Sequence, residues 1–155
     1  MLKNKKRRKI YIDVSALGRP YDEQEQFRIR LETTAIQLII KMVEFGAFEL
    51  YYSRVHHIEI SANPDEVQRG DTIDLLHRLG KKAMLMAQWE EVEKRARVLI
   101  DNGIGLADAF HVAYAEACGC DFISCDDELL KKCIKNGMLI WTGTPVDFCN
   151  KEGLV

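Results

Sequence analysis

The chain has 155 residues, a formal net charge of −2, and 22 basic side chains against 24 acidic ones. That length suits one domain with a sizeable core, and the charge balance excludes the global basic field of a general nucleic-acid binder. No run approaches the ~18 apolar residues of a membrane span, and an odd count of five scattered cysteines points to reduced thiols in the cytoplasm rather than a disulfide framework.

Basic residues crowd the start: Lys3, Lys5, Lys6, Arg7, Arg8 and Lys9. They predict a basic arm over 1–9 ahead of a domain over 9–150. Only Ile10, Tyr11 and Ile12 separate this run from Asp13, too few for a signal-peptide core. The arm reads either as a solvating tail or as a phosphate-binding segment. Lys9–Val14 predicts a strand with both faces covered, as in a central parallel strand. Asp13, at its end, is either a turn or cap acid or a ligand.

Gly18-Arg19-Pro20 breaks the chain. A helical pattern then runs from Asp22 to about Phe45, with Phe27, Leu31, Ala35, Leu38, Ile39, Met42 and Phe45 on one stripe and Glu32 on the expected solvated face. Phe48–Tyr52 predicts a second strand. Ser53 is the natural N-cap of a short helix through Ile60, which carries His56, His57 and Glu59. The two adjacent histidines point about 100° apart, so a structural or solvent role suits them better than a shared ion. Asn63 and Pro64 predict the start of the next helix, up to Gly80. Lys81–Ala87 reads equally as strand or loop. Trp89 to Ile100 is another helix, stopped at Asn102-Gly103.

Leu106 to Ala117 reads as a helix with an apolar face, closed by Gly119. Asp108 lies in its first turn, where the helix dipole alone favours an acid. Phe122–Ile123 is a buried strand followed by Asp126 and Asp127. Glu128–Lys135 is a short helix, Met138–Trp141 a last strand, and Val146–Cys149 a tail. Alternating strands and helices predict an α/β, three-layer fold with a central parallel sheet. In such sheets, ligands gather at the carboxyl ends of the strands, where Asp13, Asp108 and Asp126 all fall. Glu59 belongs there less firmly, because it lies near the end of its helix. Gathered carboxylates repel one another. A hard divalent ion relieves this, taking one or two of them and keeping its waters.

Ile12-Asp13-Val14-Ser15, Leu106-Ala-Asp108-Ala-Phe-His-Val-Ala113 and Ser124-Cys-Asp126-Asp-Glu-Leu129 together resemble the PIN domain family, small nucleases that include toxins similar to VapC. The resemblance spans nearly the whole chain. It implies a PIN-like fold and a cytoplasmic endoribonuclease that uses Mg²⁺ or Mn²⁺. Asp13, Asp108 and Asp126 would be the metal ligands and catalytic acids, supported by Ser15 and Ser124. Glu59 would complete the set, with Glu32 as its rival, and Asp127 would either assist or cap the next helix. It further implies an RNA substrate, an antitoxin protein as partner and a homodimer. Ser124 stands where the family usually has Thr, and Cys125 where it often has Asn; neither removes a ligand. The alternative is a non-catalytic module of the same fold that binds RNA or a protein. A receiver-like domain would want a second acid where Ser15 stands. Cys118-x-Cys120 is too tight for a zinc pair. Neither a phosphate-cradling glycine loop nor a Gly-x-Ser-x-Gly elbow occurs.

Overall fold

A computed structural model describes residues 6–155. Lys3 and Lys5 of the expected basic arm lie outside the described residues. Among the described residues five strands form one sheet: β1 (Arg8–Ile12), β2 (Phe48–Tyr52), β3 (Gly80–Lys82), β4 (Asp121–Ile123) and β5 (Thr142–Gly143). Every neighbouring pair runs parallel, in the order β3-β2-β1-β4-β5. Around it the same residues form α-helices α1 (Val14–Leu17), α2 (Phe27–Glu44), α3 (Arg54–Ser61), α4 (Glu66–Leu79), α5 (Trp89–Asp101), α6 (Leu106–Cys118), α7 (Asp127–Lys135) and α8 (Pro145–Lys151).

The central strand shows why the sheet is covered twice. Ile10 and Ile12 enter one apolar layer with Ile36 and Ile39 of α2, Leu76 of α4 and Phe148 of α8. Tyr11 points the other way, into a layer with Val92 and Leu99 of α5, Val112 of α6 and Leu129 of α7. Side chains alternate along a strand, so an unbroken apolar run needs apolar partners on both faces. The expected α/β architecture, a parallel sheet flanked by helices, is therefore observed. The strand order reverses between β1 and β4, since β2 and β3 continue to one side and β4 and β5 to the other. Among the described residues no helix is long and apolar enough to cross a membrane.

Several local expectations need correction. Helix α2 starts at Phe27 rather than Asp22, because Arg19–Tyr21 forms a 3-10 turn around Pro20 and Gln26 remains extended as the N-cap. Its buried stripe is rotated as well: Phe27, Leu31 and Phe45 are exposed, while Glu32, Ile36, Ile39 and Val43 face inward. Helix α4 is capped by Asp65, whose side chain accepts from the Gln68 N–H at 3.1 Å, and Pro64 precedes that cap instead of entering the first turn. The last strand is not Met138–Trp141 but Thr142–Gly143. Its position is set by β4: the Phe122 and Ser124 N–H groups donate to the Trp141 and Gly143 carbonyls, which leaves Leu139 exposed. The expected tail is helix α8, started by Thr144 and Asp147 in a reciprocal capping box.

The first strand ends at Ile12, so Val14 of the expected Lys9–Val14 strand already belongs to α1; at several other points the local reading and the structure agree. Gly119 ends α6 with a φ of +66°, the left-handed conformation that glycine adopts at no steric cost. Ser53 caps α3. The undecided Lys81–Ala87 stretch opens with the end of β3 and continues as a 3-10 turn over Ala83–Leu85. All five cysteines are free and buried.

Candidate active site

The carboxyl ends of the three central strands place Asp13, Ser53 and Ser124 side by side. Asp13 follows β1, and its N–H donates to the Ile123 carbonyl of β4 at 3.0 Å. It therefore sits where the strand order reverses, the usual ligand crevice of an open α/β sheet. The side chain is buried and fully engaged. Oδ1 accepts from the Ser15 hydroxyl at 2.7 Å and the Ala16 N–H at 3.0 Å, and Oδ2 accepts from the Ser124 hydroxyl at 2.5 Å. The bond from Ala16 makes Asp13 the N-cap of α1. Cap and rim acid are thus the same residue.

Ser15 and Ser124 tie the two loops together. The Ser15 hydroxyl accepts from the Cys125 N–H at 3.3 Å, and that of Ser124 from the Asp126 N–H at 3.0 Å. Asp126 in turn caps α7, with Oδ1 accepting from the Leu129 N–H at 3.1 Å. Asp127 does not cap that helix. It is its first residue and pairs with Arg28 at 2.6 and 2.8 Å.

Asp108, in the first turn of α6, is half-buried. Burial pushes its carboxyl up from the ordinary range; the charges of Asp13, Glu59 and Asp126 push the same way, and His111 pulls it down. The four acids named in the sequence therefore share one electrostatic neighbourhood. Asp13 is also raised, chiefly by burial, against the pull of its hydrogen bonds from Ser124, Ser15 and Ala16. Both carboxyls are held up by desolvation, and Asp108 by like charge as well; a cation would ease both. Among the described residues no three His, Cys, Asp or Glu side chains form a group that could hold one ion. The described residues therefore form no closed cage, and a hard divalent ion held here would take one or two carboxylates and keep its waters.

A buried relay behind Glu59 was not anticipated. The Tyr11 hydroxyl lies 2.7 Å from the Ser53 hydroxyl and 2.6 Å from His111 Nδ1, and His111 Nε2 contacts Glu59 Oε1. The donors can run in one direction. The Val55 N–H donates to Ser53, the Ser53 hydroxyl to Tyr11, the Tyr11 hydroxyl to Nδ1, and the Nε2 hydrogen to Glu59. Burial holds Tyr11 well above its usual pKa, so its O–H remains available as a donor. His111 stands three residues after Asp108, on the same helix face. That spacing is the one signal in the sequence that could have marked it.

Of the paired histidines, His56 turns inward, accepting from the Ser53 N–H at Nδ1 and reaching the Ile12 carbonyl at 2.7 Å through Nε2. It is a structural residue, neutral because burial pulls its pKa down.

Glu32 is not on a solvated face. It is 2% exposed, bonded by Arg19 at 3.1 Å and Arg28 at 3.2 Å. Two guanidinium groups offset the cost of burying its charge, which is why an acid can stand in the inner stripe of α2. Its neighbours are those arginines and the Cys125 thiol, whereas Glu59 is the acid felt by Asp108. Burial and the Glu32 charge push the Cys125 thiol up, so no reactive thiolate stands at this rim. Arg8, at the opposite end of β1 from Asp13, is committed to Asp121 and Glu152.

An apolar cleft of about 400 Å³, lined among others by Ile58, Trp89, Leu106 and Phe110, opens next to the chain neighbours of Glu59 and Asp108. Trp89 and Phe110 are stacked in it, with centroids 5.6 Å apart. No protein-family model matches the chain, and no curated protein matches it either.

Proposed function

We propose that the chain is a PIN-like endoribonuclease that hydrolyses RNA phosphodiester bonds with Mg²⁺ or Mn²⁺. The observation that carries this reading is the placing of Asp13 and Asp126 after β1 and β4, where the strand order reverses, close enough to Asp108 that their charges and that of Glu59 push its carboxyl up. One or two of Asp13, Asp108 and Asp126 would hold the ion directly and the rest act through its waters, with Glu59 beside them. A divalent ion in such a site supplies an activated water and neutralises charge on the phosphate. The chain's own residues do the positioning. Ser15 and Ser124 hold both oxygens of Asp13, and His111 holds Glu59 through the contact made by its Nε2. Ser53 and Tyr11 fix His111 from behind. An acid locked in one rotamer by hydrogen bonds arrives preorganised for the charged group it meets.

The choice of RNA, an antitoxin partner, a homodimer and a cytoplasmic setting follow from the resemblance to VapC-like proteins. Purified protein should cleave single-stranded RNA with Mg²⁺ or Mn²⁺ and stop when EDTA is added. Cleavage that is indifferent to EDTA, or none with either ion, rejects the reading. The second reading, a non-catalytic module, is favoured by the apolar cleft beside the acids; a protein that retains RNA or a partner without cleaving would match it.

The two rival glutamates separate in the same assay. Glu59→Gln should lower turnover about 10²–10³-fold, the scale for losing one preorganised electrostatic group. Glu32→Gln should leave turnover near wild type but cost about 1.5–3 kcal/mol of stability, because charged hydrogen bonds to Arg19 and Arg28 are weakened. The reverse pattern would move the acidic site to Glu32.

A further inference from the structure

We propose that His57 of α3 and His77 of α4 form a second metal site, specific for a borderline transition-metal ion such as Zn²⁺, Ni²⁺ or Cu²⁺ and separate from the acidic rim. Their Nε2 atoms stand 3.4 Å apart. That is long for a hydrogen bond, since N–H donors normally sit about 2.7–3.2 Å from their acceptors. It matches two imidazole ligands on one ion: with metal–nitrogen bonds of about 2.0–2.1 Å, a tetrahedral angle separates the nitrogens by about 3.3–3.4 Å.

The pair is also held in place. Both rings rest on the buried ring of Tyr52, with centroids 5.7 Å away for His57 and 6.0 Å for His77. The imidazoles themselves lie 5.1 Å apart with planes inclined by 41°. Packing on a fixed aromatic limits their rotamers and brings them close to ligating geometry before an ion arrives. His57 is partly exposed and His77 exposed, so an ion can reach them from solvent.

Imidazole nitrogen prefers zinc, copper and nickel, while magnesium prefers oxygen. The two sites therefore sort their ions by donor chemistry. Among the described residues no third His, Cys, Asp or Glu joins the pair, so open positions remain for water or a ligand from another molecule. Lys82 stands near His57 with like charge, which opposes a bound cation. A bound ion would clamp α3 to α4, and α3 carries Glu59. The proposal does not depend on the ribonuclease reading.

The test is calorimetric titration of the full chain with Zn²⁺ in excess Mg²⁺, which occupies any oxygen-donor site. One Zn²⁺ should bind per chain, and thermal stability should rise with it by mass action. His77→Ala and His77→Gln, both at an exposed position, should weaken Zn²⁺ binding about tenfold or more and remove the thermal shift; Asp108→Asn should preserve both. The chain has four histidines, so a histidine ¹⁵N spectrum carries internal controls. The Nε2 signals of His57 and His77 should move with Zn²⁺, and those of buried His56 and His111 should stay. The proposal is overturned if wild type binds no Zn²⁺ at millimolar concentration. Binding that survives His77→Ala, or that Asp108→Asn removes, overturns it equally.

Discussion

Asp108→Asn is expected to reduce metal-dependent RNA hydrolysis about 10²–10³-fold while leaving a protein that folds as wild type does. Within the described residues Asp108 accepts no hydrogen bond, and its carboxyl is pushed up by burial and then by Asp13, Glu59 and Asp126. Its charge is favoured by His111 and by the N-terminal dipole of α6, the latter worth about 0.3–1 kcal/mol. Relief of repulsion from the other acids, reduced by solvent screening at a half-buried group, offsets this with a similar magnitude. Stability should then stay within about 1 kcal/mol of wild type, a few degrees of melting temperature in a domain of this size. Denaturant melts and single-turnover cleavage, run on the same preparations, separate the two effects. Retained turnover would remove Asp108 from the site. A large loss of stability would make it a structural acid.

Asp13→Asn should drive activity and stability in opposite directions. Asp13 is buried, and desolvation is the largest influence on its carboxyl. The amide keeps an oxygen for the Ser15 hydroxyl and the Ala16 N–H, so the cap on α1 survives. Its NH₂ replaces the oxygen that accepted from Ser124, whose hydroxyl must then turn to accept instead. Removing the buried charge should raise the stability of the metal-free protein by about 1 kcal/mol, the scale of one pKa unit. With Mg²⁺ or Mn²⁺ present the order should invert. An ion that binds only the folded state at a hundredfold its dissociation constant adds about 2.7 kcal/mol. Wild type should show most of that gain and the variant little of it. Hydrolysis should fall with the response to metal. Thermal melts of both proteins across a divalent-ion titration would reveal the inversion; a wild type whose melting temperature ignores both ions would reduce Asp13 to the cap of α1.

Much of the architecture could be read from local pattern. The unbroken apolar run Ile10–Ile12 demands cover on both faces, and its partners arrive from α2 and α6. The cap at Ser53 and the left-handed Gly119 follow from backbone chemistry within a few residues. Asp13 and Asp126 could be marked because a strand of known direction has only one carboxyl end. These features depend on residues that are neighbours in the chain, and a sequence displays such neighbours directly.

What only the tertiary structure decided depends on pairs far apart in the chain. The strand order that makes the β1–β4 boundary a crevice requires β4 to cross back beside β1. β5 lies at Thr142–Gly143 and not in the more apolar Met138–Trp141, because hydrogen bonding to β4 outweighs local hydropathy. Glu32 became a core residue only when Arg19 and Arg28 were beside it; its own helix pattern places any acid on the outside. Tyr11, Glu59 and His111 come from β1, α3 and α6, and His57 meets His77 across twenty residues. A buried charge or hydroxyl is tolerable only with a partner. Periodicity marks the face on which a residue lies, but the partner that decides its burial is chosen in three dimensions.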